Sequence, residues 1–305
     1  MKRITSITLV IVAMFVWLAT PVLTEETGAE VSDTMKRIEK TGKLRVGLRE
    51  GAVPFSYMDP KAGKQVGFSV DMASLFAEYL SKHFDKEITV KPFTVSPKTR
   101  IPMTSTGTVD IVCGSPTRTA ARDKVIDFSI PFFFSDTTFL VSQDMEVTSL
   151  DDLNGKVIGA ARGTTNIRVI RNLVDKGKLE PADIHVVNDH PAGMLALRTG
   201  KIDAYSTDRS LLEGIRLKSK NPENWKTVGV SIAYEPYAYI VRQNDSQFRD
   251  FVNNTIVWSI KTGKFYELYD KWMGPAGELP MTMSEDYKTY LKMSVYPIEE
   301  GWWEK

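Results

Sequence analysis

Apolar and polar positions along the chain change their period several times, and each change predicts an element. KLRVGL, residues 43–48, is a short apolar-rich run bounded by Gly42 and by Arg49-Glu50-Gly51, which predicts a buried strand. MASLFAEYLSKHF, residues 72–84, places apolar residues three and four apart and predicts an amphipathic helix, entered through Val66-Gly67-Phe68-Ser69-Val70-Asp71. Phe55-Ser56-Tyr57 falls on the connection between them. A strand at residues 87–92, a helix from about Lys98, a strand at residues 109–113 and a helix from about Ala120 that carries Arg122 continue the alternation. A short helix ending at Gly42 precedes the first strand.

A second unit opens at Thr138-Phe139-Leu140-Val141. It holds a strand ending in Ala160-Ala161-Arg162-Gly163-Thr164-Thr165, a helix over residues 166–175, the strand IHVVND and a helix opening at His190. A strand at residues 202–206 follows, with Asp208 beyond its end. The run EPYAYIV, residues 235–241, then leads to helices over residues 246–262 and 264–273. The last stretch, residues 281–305, is a tail that periodicity assigns to no element. The pattern as a whole is an α/β chain with two β/α units and no internal repeat.

A chain of 305 residues is long enough for two domains, and 42% apolar with 25% charged residues is a globular composition. The net charge of +1 and the lack of a basic stripe interleaved with aromatics exclude nucleic acid as a partner. Lys2 and Arg3 stand before an apolar core at residues 7–19, followed by Thr20-Pro21, which is the layout of a secretory signal peptide. Cleavage is expected within residues 24–29, so residues 1–29 read as signal peptide and leader. Residues 4–23 carry no charge and are nearly long enough to span a bilayer, so an uncleaved anchor is the alternative. The one cysteine, Cys113, permits no internal disulfide and reads as a small buried hydrophobe. No HExxH, GxSxG, phosphate-loop or CxxC pattern occurs, and His83, His185 and His190 lack metal-ligand spacing. Neither an enzyme, a metal nor a cofactor is expected.

Residues 100–134, RIPMTSTGTVDIVCGSPTRTAARDKVIDFSIPFFF, carry the most information. A strand that delivers Ser115, Thr117 and an arginine at its carboxyl end is how an open α/β sheet offers polar groups to a small anion. This stretch resembles the second block of the family-3 periplasmic solute-binding proteins of amino-acid ABC transporters, and most of all their glutamate/aspartate-binding branch. The resemblance runs in order through almost the whole chain after the leader. It implies the type II two-lobe fold, with one lobe from residues 43–131 plus 237–280 and the other from residues 136–232. Two strands near residues 131–136 and 233–237 would cross between them as a hinge. It also implies a periplasmic monomer that closes on an amino acid and delivers it to a membrane permease.

Taken singly, the matching residues have plainer readings. Arg122 reads as a surface helix residue, Thr164 and Asp208 as helix N-caps, His190 as a cap or surface residue, and loop aromatics as packing. The resemblance implies more specific roles. Arg122, whose planar fork suits both oxygens of a carboxylate, would hold the ligand's α-carboxylate together with Thr164 and Thr165 at a helix N-terminus. Asp208 would take the α-ammonium, with Ser115 and Thr117 supplying a carbonyl and hydroxyls. Phe55 and Tyr57 would wall the pocket. Arg49, Arg100 and His190 would face a distal carboxylate, with His190 protonated at mildly acidic pH. Ser96-Pro97 stands where that branch usually has a serine supplying a further hydrogen bond. If Arg49, Arg100 and Arg122 share one cleft and meet only Asp208, an acidic ligand matches them better than a neutral or basic one. Two other functions fit the same resemblance: a periplasmic cyclohexadienyl dehydratase acting on prephenate or arogenate, and a ligand sensor without transport.

Overall fold

A computed structural model describes residues 33–304 of the protein. The expected signal peptide and its cleavage site lie outside the described residues. Helix α1 (Thr34–Thr41) is capped at one end by the Asp33 carboxylate on Lys36 N–H and at the other by Gly42, whose φ of 65° suits glycine. Strand β1 (Lys43–Leu48) follows where the apolar run predicts it, and it becomes more buried toward its carboxyl end. The connection after it is not a simple loop. Strands β2 (Gly51–Ala52), β3 (Ser56–Asp59) and β4 (Lys64–Val66) form a small antiparallel sheet there. Helix α2 (Phe68–Phe84) covers the predicted amphipathic segment.

Strand β5 (Thr89–Thr94) begins two residues later than expected, and α3 (Arg100–Ser105) and β6 (Ile111–Cys113) complete the alternation. The helix expected from Ala120 is absent. Residues 120–125 form turns, with Arg122 N–H bonded to Thr119 O and Val125 N–H to Arg122 O. The segment RTAARDKV has no apolar stripe to hold a helix against the core, and only Ala120, Ala121 and Val125 are apolar in it. Strand β7 (Asp127–Phe128) closes this part.

The second sheet is built from β8 (Phe133–Ser142), β9 (Val157–Ala161), β10 (Asp183–Val187), β11 (Ala204–Asp208) and β12 (Trp225–Thr227), with helices α4 (Thr165–Asp175), α5 (His190–Arg198) and α6 (Arg209–Lys218) between them. Strand β11 runs later than expected, because Ile202 turns into the core and Asp208 ends the ladder opposite Thr137. Strand β13 (Ala233–Tyr237) pairs antiparallel with the start of β8, Ala233 opposite Thr137 and Tyr237 opposite Phe133. Strand β14 (Ile240–Val241) then enters the first sheet, whose order is β5-β1-β6-β14-β7, while the second runs β10-β9-β11-β8-β12. Two sheet-and-helix lobes are therefore joined by the paired strands β8 and β13.

Where these strands leave the first sheet they pack in an aromatic cluster. Phe132 stacks on Tyr239 at 4.2 Å between ring centres, and Phe55 meets Phe133 at 4.9 Å and Tyr237 at 5.2 Å. Helices α7 (Ser246–Lys261) and α8 (Lys264–Met273) fall where the pattern predicts them and pack against α2. The tail, residues 281–304, is placed by the structure. Its helix α9 (Glu285–Ser294) lies along the crossing: Tyr287 Oη–H donates to Phe132 O at 2.6 Å and Tyr290 Oη–H to Pro131 O at 2.7 Å. Beyond it, Trp302 packs on Tyr79 and Phe251.

Leu291 is the fully buried residue that ties α9 to the first lobe's core. Leu291→Ala is expected to destabilise the protein by about 2–4 kcal/mol in urea unfolding, the ordinary cost of truncating a buried leucine. A change below about 0.5 kcal/mol would mean that the tail is not docked in solution.

Candidate ligand-binding site

The carboxyl ends of the strands in both sheets face each other across the crossing, and a small cavity of about 10 Å³ lies between them. From the first lobe it is lined by Arg49, Arg100, Ser115 and Thr117, and from the second by Thr164, Thr165, Asn166, His190, Thr207, Asp208 and Leu211. Arg49 follows β1 and is fixed by Ser56, whose Oγ accepts from Arg49 N–H at 2.9 Å and donates to Arg49 O at 2.8 Å. Arg100 opens α3. Ser115 and Thr117 follow β6, and Thr117 bridges to Tyr237.

All three arginines are buried. Arg122 directs two of its five donors to main-chain carbonyls, one on each lobe, Nη1–H to Thr117 O at 2.7 Å and Nη2–H to Gly163 O at 3.2 Å. Burial lowers its pKa to about 10, helped by Arg168 and opposed by Glu235 and Asp208. Burial also lowers the pKa of Arg100 strongly, and Arg122 and Arg49 add to the effect. Arg49 is lowered by burial, against the pull of Tyr205, Asp189 and Asp208. Three buried polar atoms of cavity residues have no partner among the described residues: Arg49 Nη2, Arg100 Nε and Ser115 Oγ. Buried donors without acceptors are costly, so these atoms suit an anionic or acceptor-rich ligand.

His190 is the first residue of α5, and its ring bridges the lobes. Arg49 Nη1 lies 3.2 Å from His190 Nε2, and His190 Nδ1 lies 2.9 Å from Tyr205 Oη. A guanidinium only donates, so Nε2 must accept and the proton sits on Nδ1. Burial, then Arg49 and Arg100, push the imidazole pKa well below its usual value. Burial first, then the two neighbouring cations, favour the neutral ring, against the expectation of a protonated His190 at mildly acidic pH.

On the second lobe, Thr164 caps α4 as its residue type suggests, accepting from Ile167 N–H at 3.3 Å. Gly163 before it has φ of 82°, and a Cβ there would lie 2.8 Å from Pro97 O. The strand-to-helix turn therefore touches the opposite lobe at the Ser96-Pro97 position, and only glycine allows that approach. Asp208 occupies the N-cap position of α6 but makes no capping bond. Its carboxylate instead accepts from Asn166 Nδ2–H at 2.7 Å and from Tyr237 Oη–H. Burial first and Glu235 second push its pKa up to about 7.

Two expected wall residues lie elsewhere. Phe55 is fully buried in the aromatic cluster beneath the crossing. Tyr57, on β3, meets the edge of Trp272 at 6.2 Å and lines a separate groove. Short β2 and β3 turn both rings into packing. Conversely, Asn166, Thr207, Tyr205, Tyr237 and Glu235 belong to the site's polar framework and were not anticipated. Glu235 is 1% exposed and accepts from Thr137 Oγ1–H at 2.7 Å and Thr165 Oγ1–H at 2.8 Å. Its signal in the sequence was a lone carboxylate opening the apolar run EPYAYIV. Arg49, Arg100 and Arg122 thus meet two carboxylates, Asp208 and Glu235, rather than one, leaving an excess of 3 − 2 = 1 positive charge with all five ionised. No group of three His, Cys, Asp or Glu side chains among the described residues is placed to hold a metal ion.

The neutrality of His190 has a direct readout. Its imidazole is expected to titrate below about pH 6.5, the unperturbed histidine value, when followed by NMR in the unliganded protein. A midpoint at or above that value would show the ring to be exposed or paired with a carboxylate.

Several known proteins share this architecture. Residues 44–275 match the family of bacterial extracellular solute-binding proteins, family 3. An L-glutamate/L-aspartate-binding protein of Pseudomonas aeruginosa is 33% identical over 277 residues, covering 89% of this chain and 90% of that protein. A glutamate/aspartate import solute-binding protein of Salmonella typhimurium is 32% identical over 249 residues, covering 81% and 82%. Among solved structures, a mutant of the arginine-binding protein ArgBP from T. maritima superposes with a TM-score of 0.69 at 26% identity, covering 78% of this chain and 98% of that one. These neighbours share the type II two-lobe architecture of periplasmic amino-acid-binding proteins. No helix among the described residues is long and apolar enough to cross a membrane. With nearly all of both lobes inside the matched span, the chain belongs to the bacterial extracellular solute-binding proteins of family 3.

Proposed function

We propose that the protein captures an acidic amino acid, glutamate or aspartate, outside the cytoplasm and delivers it to the membrane permease of an ABC transporter. The observation that carries the ligand class is the charge of the cavity. Three buried arginines face two buried carboxylates, and donors on Arg49 and Arg100 stand without acceptors. A ligand with two carboxylates and one ammonium carries a net charge of −1 and matches this excess. A neutral amino acid leaves one positive charge buried and a basic one leaves two, and unpaired charge in a dry cleft is costly. The names of the two curated relatives favour the same class. The arginine-binding protein among the structural neighbours makes a basic ligand the alternative to test.

In this reading Arg122 holds the α-carboxylate, assisted by Thr164, Thr165 and the start of α4, while Asp208 takes the ammonium with Ser115 and Thr117. Arg49 and Arg100 hold the distal carboxylate. Neutral His190 keeps Arg49 in place from the opposite lobe. Capture is coupled to closure about β8 and β13, with residues 43–131 and 237–280 moving against residues 136–232. Contacts that span the cleft support a closed state: a Cβ on Gly51 would sit 2.5 Å from Pro191 Cδ, and one on Gly214 would sit 2.5 Å from Val53 O. A ligand that binds the closed form preferentially shifts that population. The dehydratase alternative has the weaker support, since the similar curated proteins bear the names of binding and import proteins.

A thermal-shift panel of the amino acids and common dicarboxylates tests the reading, because a ligand at a hundred times its Kd stabilises by about 2.7 kcal/mol. Glutamate and aspartate are expected to raise the melting temperature most; arginine, lysine or a neutral amino acid at the head of the panel would overturn it. Arg49→Ala is expected to weaken glutamate binding in calorimetry by about 2–5 kcal/mol. The same change should cost much less for glutamine, which has no distal carboxylate. Equal losses for both would remove Arg49 from the distal site.

A further inference from the structure

Glu235 lies outside the residues that line the cavity, yet it is built into the same polar network. It is the third residue of β13, one of the two strands that cross between the lobes. Its carboxylate is fully buried, is held by two hydroxyl donors, and has no ion pair among the described residues. Thr137 Oγ1, on the other crossing strand, donates to Glu235 Oε1 and accepts from Asn166 Nδ2–H at 2.8 Å. The same Asn166 amide donates to Asp208 Oδ1. Asp208 and Glu235 are therefore two buried carboxylates joined through one hydroxyl and one amide.

We propose that Glu235 is a specificity-determining residue that makes the cleft select an amino acid over the corresponding dicarboxylate without an ammonium group. The inference rests on the acidic-amino-acid reading above and adds to it how the ammonium end is recognised. Arginines alone would favour any compound with two carboxylates. Glutarate, with a charge of −2, would satisfy Arg49, Arg100 and Arg122 as well as glutamate does. What penalises glutarate is the protein's own negative charge at the other end of the cavity. One carboxylate, Asp208, leaves the cleft with an excess of 3 − 1 = 2 positive charges, which suits a dianion. The second, Glu235, reduces the excess to one, which suits a ligand of net charge −1 and leaves a dianion with one negative charge unmatched.

The remaining surroundings agree with that assignment. Tyr237 Oη–H and Asn166 Nδ2–H hold Asp208 in place, and the charge of Arg100 favours its ionised form more weakly than these two hydrogen bonds do. After burial, Glu235 is the largest contributor to the upward shift of Asp208, so the two carboxylates act on each other through the buried framework. Glu235 also acts on Arg122, on whose charge it is the leading stabilising influence. Its effect on the ligand is through the field and through the placement of Thr165 and Asp208, without contact.

The test measures the affinities of glutamate and glutarate side by side, by calorimetric competition at pH 8, where Asp208 is mostly ionised. Wild type is compared with Glu235→Gln, Glu235→Asp and Glu235→Ala. The proposal expects E235Q and E235A to lower the glutamate-to-glutarate affinity ratio by about tenfold or more, the effect of losing one buried unit charge, while E235D keeps most of it. A structural role alone would weaken both ligands equally and leave the ratio unchanged in all three variants, which would overturn the proposal. Loss of cooperative melting in both E235Q and E235A would count against it too, since the residue would then serve folding. If wild type itself binds neither glutamate nor aspartate, the functional reading fails, and this inference with it. If wild type binds them and the ratio does not move, only the inference fails.

Discussion

Three buried guanidinium groups, two of them lining one small cavity, set the terms for everything around them. Arginine does not shed its proton at ordinary pH, so the site must supply compensation rather than neutralise the groups. The chain does so unevenly. Arg122 is anchored on the carbonyls of Thr117 and Gly163, one on each lobe, whereas Arg49 and Arg100 keep donor atoms without acceptors. The residues packed about them fit that arrangement. His190 is held as a neutral acceptor, Asp208 and Glu235 supply buried negative charge, and Thr164 caps a helix whose N-terminus favours an anion.

The same constraint links the site to the shape of the whole molecule. Each lobe alone carries part of the charge set: the arginines belong to the first and Asp208 and His190 to the second, with Glu235 on the strand between. Glycines at positions 51, 163 and 214 let the two sides meet, since a Cβ at each would fall within 3.0 Å of atoms across the cleft. The crossing strands that must accommodate any relative motion are backed by an aromatic cluster and by the two tyrosines of α9, which donate to main-chain carbonyls at residues 131 and 132. The proposed closure would thus work against a firm base, with the candidate site residues near strand ends.

Elements with a strong period were legible in the sequence. The apolar run of β1, the amphipathic α2, and helices α7 and α8 follow from local spacing and from caps such as Gly42. What the sequence hid depends on packing. The small sheet β2–β4 has strands too short for a period, and Phe55 and Tyr57 consequently read as pocket walls when they are core and groove residues. The turns around Arg122 lack the apolar face of a helix. The tail gains its order only from partners distant in sequence, Tyr79, Phe251 and the crossing strand. Arg49, Arg100, Ser115, Thr117, Thr164, Thr165, His190 and Asp208 were named through a family resemblance and line one cavity. The protonation of His190 and the presence of Glu235 were not legible, because both depend on which charges burial brings together.

The central claim is that the two ends of one ligand pair with opposite charges fixed in the closed cleft. A crystal structure of the glutamate complex tests it most directly. The account predicts the distal carboxylate within hydrogen-bond distance of Arg49 and Arg100, the α-carboxylate on Arg122 and Thr164, and the ammonium on Asp208. A ligand bound with its distal carboxylate turned to solvent, or with its ammonium away from Asp208, would contradict it.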